Sequence, residues 1–383
     1  MNSLLTAQYN TSRVLRQLWL EPGVSRAEIA DRLGLNRSTL THIIKSLGQQ
    51  GLVRELDGGA TGPLGGRRNV RLSLNPDFGC FAGLDVREDV TRIVGLNVTG
   101  DVIFRKDIKV RATGRKLYGA VEKAYRWLRS ETERQDLSLL GVGLGVAGVV
   151  DHEARVLVQS NPLEVMEPLH LGEELSQHIS EPVLVDNDAN CCCWGEIMAR
   201  RKSEPSSFLF VFGTWRKVRT PAPLHLTSIG MGIAIEDSVH RGRHCSAGEF
   251  RSIKWKPGRH SQFSFSDEEI SAAYSDRRSF LKIVRELARN TALLVNVLDL
   301  DDLYLAGFLE DGEADMRSIF QDEIQKNWHY PNQAACAVRS ASHGELSVAH
   351  GAASMFLARA FGRSQDLVLA GDQAGINLMS PSA

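Results

Sequence analysis

The sequence predicts an α/β protein in three parts: a small N-terminal winged helix-turn-helix, then two α/β halves facing a cleft. Three observations carry this. Residues 25–53 read as two short helices around a glycine turn, with a basic strand pair directly after them. From Phe78 the pattern changes to strands, one of them nearly all apolar, alternating with amphipathic helices, which marks the α/β class. Charge is also divided. Residues 1–75 hold ten Lys/Arg against five Asp/Glu, a net of +5, so the rest of this chain of net charge −1 carries −6. A basic module on a larger acidic body suits contact with nucleic acid at one end only.

Tyr9 to Leu20 is expected to form the first helix. Val14, Leu15 and Leu18 give it an apolar side, Trp19 adds bulk, and Glu21-Pro22-Gly23 ends it. Ser25 and Glu28 make an S-x-x-E capping box for the second helix. Ile29, Ala30 and Leu33 face inward, and Gly34 stops that helix. Asn36 stands at the N-cap of the third, where Leu40, Ile43, Ile44 and Leu47 fall at i, i+3, i+4 and i+7. Its start carries polar side chains where a recognition helix meets base edges. The candidate DNA contacts there are Asn36, Arg37, Ser38, Thr39, Thr41, His42 and Lys45. Leu52–Leu56 and Val70–Leu74 read as strands around a Gly-rich turn, with Arg67 and Arg68 before the second. Such a hairpin is a wing whose arginines reach phosphates or a minor groove. A plain helical hairpin would explain the helices alone, but not the basic strand pair after them.

Asn75-Pro76-Asp77 is a short link. Phe81–Val86, Thr91–Asn97 and Val102–Val110 follow as a meander, then a helix over Lys116–Glu133 and a buried parallel strand over Leu139–Val146. Val183–Val185 is a buried strand that runs into Asp186-Asn187-Asp188-Ala189-Asn190 and a helix. Ser207–Phe212 and Thr227–Ile235 open a second set of strands, with Thr214–Leu226 between them expected to be a surface loop. Asp302–Gly307 is a further strand, and Phe280–Leu298, Asp315–Lys326 and Val348–Phe361 are long helices. The expected domains are 1–75, 76–195 and 196–383.

The composition is that of an ordinary globular protein, 43% apolar and 24% charged, and no apolar run approaches the ~20 residues of a membrane span. The N-terminus lacks the charge and apolar pattern of a signal peptide. Six cysteines, three of them consecutive and none in a C-x-x-C pair, make neither a disulfide framework nor a zinc ribbon. The expected compartment is the reducing cytoplasm.

Several segments together resemble the ROK family of bacterial repressors and sugar kinases. Gly141-Val142-Gly143-Leu144-Gly145-Val146-Ala147-Gly148-Val149-Val150-Asp151 resembles the family's G-x-G-x-P-G-x-x-D, and Leu184–Glu196 its N-D-A-N-x-x-x-x-x-E. Ala247-Gly248-Glu249-Phe250-Arg251 resembles part of A-G-E-I-G-H, and Gly351-Ala352-Ala353 matches a further landmark. The N-terminal module resembles that of the xylose- and N-acetylglucosamine-responsive repressor branch. The resemblance covers nearly the whole chain and implies a two-lobed, actin-like (ribonuclease H-like) sugar-kinase-type fold with sugar held in the cleft.

It also implies effector contacts at Asn187, Asp188 and Glu249, with Asn161 in the Ser160-Asn161-Pro162-Leu163 turn and Arg251 as further candidates. Asn187 and Asp188 stand where a buried strand meets a helix, the ligand edge of α/β sheets; the alternative is that they cap the helix. Asp186 and Asn190 are assigned to capping or bracing. Two carboxylates and an amide suit a neutral sugar. Arg251 in the cleft would favour a sugar acid or phosphate, whereas Arg251 paired with Glu249 would only neutralise it. The kinases' D-x-G-G-T phosphate loop is replaced by Asp85-Val86-Arg87-Glu88-Asp89, and the family's zinc-binding histidine and cysteines by Arg251 and the cysteine-free Lys254–Asp267. The expectation is therefore a transcriptional repressor with no catalytic residues, metal or cofactor. It would bind an operator in double-stranded DNA as a homodimer or dimer of dimers and be modulated by a sugar or sugar derivative. The alternatives are a sugar kinase using Asp188 as general base, and a regulator with a vestigial cleft governed by a protein partner.

Overall fold

The computed structural model describes residues 3–56, 70–218, 224–310 and 313–361. The N-terminal module is a winged helix-turn-helix. A helix over Ser3–Leu20, which starts six residues before the expected Tyr9, braces helices Arg26–Leu33 and Arg37–Gln49. The Ser25/Glu28 capping box is present with both of its hydrogen bonds, and Gly34 ends the second helix in the left-handed region at φ 63°. The Arg13 guanidinium donates to the Leu33 carbonyl at 2.8 Å, which ties the brace to the end of that helix. Val24–Ser25, Arg71–Leu74 and Val53–Leu56 form a small antiparallel sheet in that order. Arg67 and Arg68 lie outside the described residues.

Two five-stranded sheets follow, and both have the strand order 3-2-1-4-5. The first runs Val102–Lys109, Val90–Asn97, Cys80–Val86, Leu139–Val146, Val183–Asn187; the second runs Ser238–Val239, Leu224–Ile235, Phe208–Val218, Asp302–Gly307, Ala337–Ser340. In each, three antiparallel strands precede two parallel additions. The duplication is one of topology, since no sequence repeat announces it. The described residues of Thr214–Leu226 are strand, not the surface loop expected there. Thr214–Val218 and Leu224–Leu226 extend the hairpin, paired from Phe208/Ala234 to Val218/Leu224. The charged residues of 216–219 and the prolines Pro221 and Pro223 obscured this pairing in the sequence.

Strand period two decides where the helices go. In Cys80–Val86, residues 80, 82, 84 and 86 join the core under helix Lys116–Arg134, while Phe81 faces the opposite side. Gly83 shares Phe81's face, as do Gly141 and Gly143 on the neighbouring strand. A Cβ on Gly83 or Gly143 would run into the backbone of Ala349 or Ala352, so these glycines let helix Ser347–Phe361 lie directly on the sheet. The last helix thus returns to the first sheet, on strands Cys80–Val86 and Leu139–Val146. It also packs against helix Asp188–Ala199, which rests on the second sheet. Helices Asp267–Ala272, Arg277–Val297 and Glu313–Asn327 cover that sheet's outer face. Short elements missed in the sequence, strands Val149–Asp151 and Val156–Gln159 and helix Leu171–Leu175, lie between the last two strands of the first lobe.

Candidate functional site

On the third helix Leu40, Ile44 and Leu47 are buried, and the other side faces solvent. Asn36, Arg37, Ser38, Thr41, His42 and Lys45 are exposed there and Thr39 half-buried, so all seven candidates share one accessible region. Asn36 has the extended backbone of an N-cap, but its side chain makes no capping bond. It is therefore available to a ligand, contrary to the capping role expected of it. Thr41 Oγ1 donates back to the Arg37 carbonyl at 2.7 Å.

The cleft is built at the ends of two strands of the first sheet. Strand Val183–Asn187 delivers Asp188 as the first residue of its helix, and strand Cys80–Val86 delivers Asp85. Arg87 donates to Asp85 Oδ2 through Nε at 2.7 Å, and its guanidinium lies over the Phe212 ring of the other lobe, 5.5 Å from the centroid. Gly230 lies directly beside Asp188 Oδ1 and pairs with Glu249 through a β-bridge, which brings the second carboxylate to the same place. Burial raises the Asp188 carboxyl to about 6, and the nearby charges of Asp85 and Glu249 add to this; the Ala189 N–H and Arg87 pull the other way. Partial burial also raises Glu249. Asp188's folded pKa exceeds its unfolded one, so its favourable contribution is complete below the unfolded value and is lost as pH rises through about 6. Asp188→Asn should therefore stabilise the protein by on the order of 1–3 kcal/mol at pH 7.5. The gain should shrink toward pH 5, as thermal melts across that range will show.

The other candidates divide. Asn187 is the helix N-cap: Oδ1 accepts from the Ala189 and Asn190 N–H groups, and Nδ2 donates to the Gly148 carbonyl at 2.9 Å. The capping alternative thus describes its oxygen, and one amide hydrogen remains for a ligand. Asp186 and Asn190 brace, as expected: buried Asp186 accepts from the Asn187 N–H, Asn190 Nδ2 and Arg241. Asn161 is exposed in its turn. Arg251 neither enters the cleft nor pairs with Glu249. Its guanidinium stacks on Trp255, 4.2 Å from the ring centroid, because the segment offers an aromatic face that needs no desolvation of charge.

The residues 251–267 do not fit the zinc that the family resemblance implies: the segment has no thiol and its one histidine, His260, is held by Asp267. Hydrogen bonds order it instead. Gln262 bridges the Ile229 backbone and the Phe250 carbonyl, and Asn290 Oδ1 accepts from the Ile253 N–H.

Sequence reasoning missed how the cleft helix ends. Glu196, buried near its C-terminus, accepts from the Ser342 N–H and hydroxyl at 2.7 and 2.6 Å. Past its end, Arg201 donates to the Thr99 carbonyl at 2.8 Å and stacks on Trp19 of the winged helix, 4.4 Å from the centroid. Phe361, at the end of the last helix, stacks on the same Trp19 at 5.7 Å.

The model of the ROK family matches residues 90–258, and a winged helix-turn-helix DNA-binding model matches residues 8–54. The chain carries a ROK-family domain behind a winged helix-turn-helix. A "Xylose repressor" of Caldicellulosiruptor bescii is 26% identical over 75% of this chain and 69% of its own length. Among solved structures, a ROK family transcriptional regulator, homolog of the E. coli MLC protein, superposes with a TM-score of 0.72 at 17% identity, over 96% of this chain and 98% of that one. A ROK family glucokinase from Streptomyces griseus, in complex with glucose and AMPPNP, covers 72% of this chain and 99% of its own with a TM-score of 0.54 at 20% identity. The ROK domain therefore has the two-lobed, actin-like sugar-kinase fold.

Proposed function

We propose that this protein is a DNA-binding transcriptional repressor whose winged helix reads an operator and whose ROK cleft binds a sugar or sugar derivative that sets operator affinity. The similarity to xylose repressors makes D-xylose the first probe. One observation carries the reading. Helix Asp188–Ala199 begins with the cleft carboxylate, and Arg201 just beyond its end stacks on the brace helix of the winged module. A sugar that draws on Asp188, Glu249 and the free amide hydrogen of Asn187 acts on one end of a rigid rod whose other end touches the DNA reader. As a homodimer, the protein would set two recognition helices about one DNA turn apart, so a small change of spacing releases an operator.

The site of the kinase phosphate loop supports a regulator over an enzyme. Residues 87–89 turn tightly between strands Cys80–Val86 and Val90–Asn97; the Arg87 N–H donates to the Val90 carbonyl at 2.9 Å, and Arg87 folds onto Asp85. No glycine there opens backbone N–H groups to phosphate. One observation favours the kinase reading: a carboxyl raised to about 6 suits a general base near neutral pH. A coupled assay with ATP and D-xylose or glucose separates the two, and sustained ADP release would replace the regulator with an enzyme.

The DNA face has its own test. Arg37→Ala and Lys45→Ala are each expected to weaken operator binding while thermal stability stays within about 0.5 kcal/mol. A lost phosphate contact lowers the slope of log K against log salt by about 1. Unchanged affinity and slope in both variants would move the DNA surface elsewhere.

A further inference from the structure

We propose that Asp151, His152 and Cys245 form a binding site for a divalent transition metal, zinc by its chemistry. The three come from distant segments. Asp151 ends strand Val149–Asp151 and His152 follows it, while Cys245 lies in the loop after strand Ser238–Val239. One ligand atom from each lies within 4.8 Å of the other two. Tetrahedral zinc with bonds of about 2.0–2.3 Å holds its ligands roughly 3.3–3.8 Å apart, so side-chain rotation of about 1 Å closes the set. A carboxylate, an imidazole and a thiolate are the three donor types zinc accepts, and they leave a fourth position for water.

Four details mark this as more than a chance meeting. His152 Nδ1 is buried and has no hydrogen-bond partner, an expensive state for a ring nitrogen that a metal would relieve. Asp151 Oδ1 accepts from the Glu153 and Ala154 N–H groups, which orients the carboxylate in advance. The His152 backbone N–H faces the Cys245 sulfur, the donor a metal thiolate uses. Cys245 adopts φ 54°, a left-handed conformation unusual for cysteine, and the other five cysteines are buried. Binding releases the thiol proton to solvent, and carboxylate plus thiolate then neutralise a dication. Arg241's positive charge is felt at His152 and Cys245, and Asp186, with which it is paired, acts in the opposite sense. The site fastens the hairpin whose Gly148 carbonyl holds Asn187 to the loop that supplies Glu249 four residues after Cys245. It stands whether or not the cleft takes a sugar.

The test uses full-length protein stripped of metal and titrated with Zn²⁺ and Co²⁺. The expected result is one equivalent per chain, a thiolate-to-cobalt charge-transfer band, and alkylation of Cys245 slowed at least tenfold by zinc. Cys245→Ser should abolish the band, and Asp151→Asn and His152→Gln should each weaken zinc binding about tenfold or more. The alkylation measurement is made on the wild type, so it decides the matter even if a variant fails to fold. Absence of stoichiometric binding, unprotected Cys245, or a band and affinity unchanged across the three variants would overturn the site.

Discussion

Arg201→Ala is expected to leave operator affinity without sugar, and sugar affinity without operator, close to wild type, while removing most of the effect of one on the other. Couplings between sites are typically 5–150-fold. The guanidinium over Trp19 is a direct contact between the segment that follows the cleft helix and the winged module, and Phe361 supplies the remaining stack. A cation–π contact that is half-desolvated contributes about 0.5–2 kcal/mol, which is most of such a coupling. The variant should respond to sugar by no more than about threefold. Linkage makes the test reciprocal, because operator must lose the same share of its effect on sugar affinity. Full coupling in the variant would show that the signal travels by another route.

Gly351→Val is expected to have the largest effect on stability. A Cβ at Gly351 falls inside van der Waals contact of the Cys191 carbonyl, backbone that cannot rotate away. The last helix lies between the cleft helix and the first sheet, so any shift propagates to both. A loss of about 4 kcal/mol or more, seen as insoluble protein or a collapsed melting transition, is the expected outcome. Gly119→Ala is the contrasting control. It sits in helix Lys116–Arg134 with open space around it, and the substitution should stabilise by about 0.5–1 kcal/mol.

Much of this architecture was legible because local chemistry and tertiary structure agree. The Ser25/Glu28 box, the Gly34 stop and the 3.6-residue stripe of the third helix can all be read along the chain and all appear. The strand Leu139–Val146 shows its buried parallel position by its apolar run. Its glycines were read as part of a family motif, yet Gly141, Gly143 and Gly145 share the face on which the last helix lies. That role depends on a helix some 200 residues away and leaves no local trace. Thr214–Val218 failed for the opposite reason, since local charge and proline outweighed a cross-strand partner not visible in sequence. At the cleft, residue types were legible but hydrogen-bond commitments were not. Asn187 is largely spent on the cap and Gly148, and Arg251 on Trp255. Arg87, which crosses from Asp85 to Phe212, and the Arg201–Trp19 stack each join two segments brought together only by the fold.

The central claim is that the cleft governs the winged helix through the helix that starts at Asp188. Operator binding measured with and without saturating D-xylose, on wild type and on Asp188→Ala, tests it most directly. The operator is one recovered by in vitro selection with the wild-type protein. Asp188→Ala is expected to bind the operator like wild type without sugar and no longer to respond when sugar is added. A variant that loses operator binding while keeping its affinity for D-xylose would contradict it.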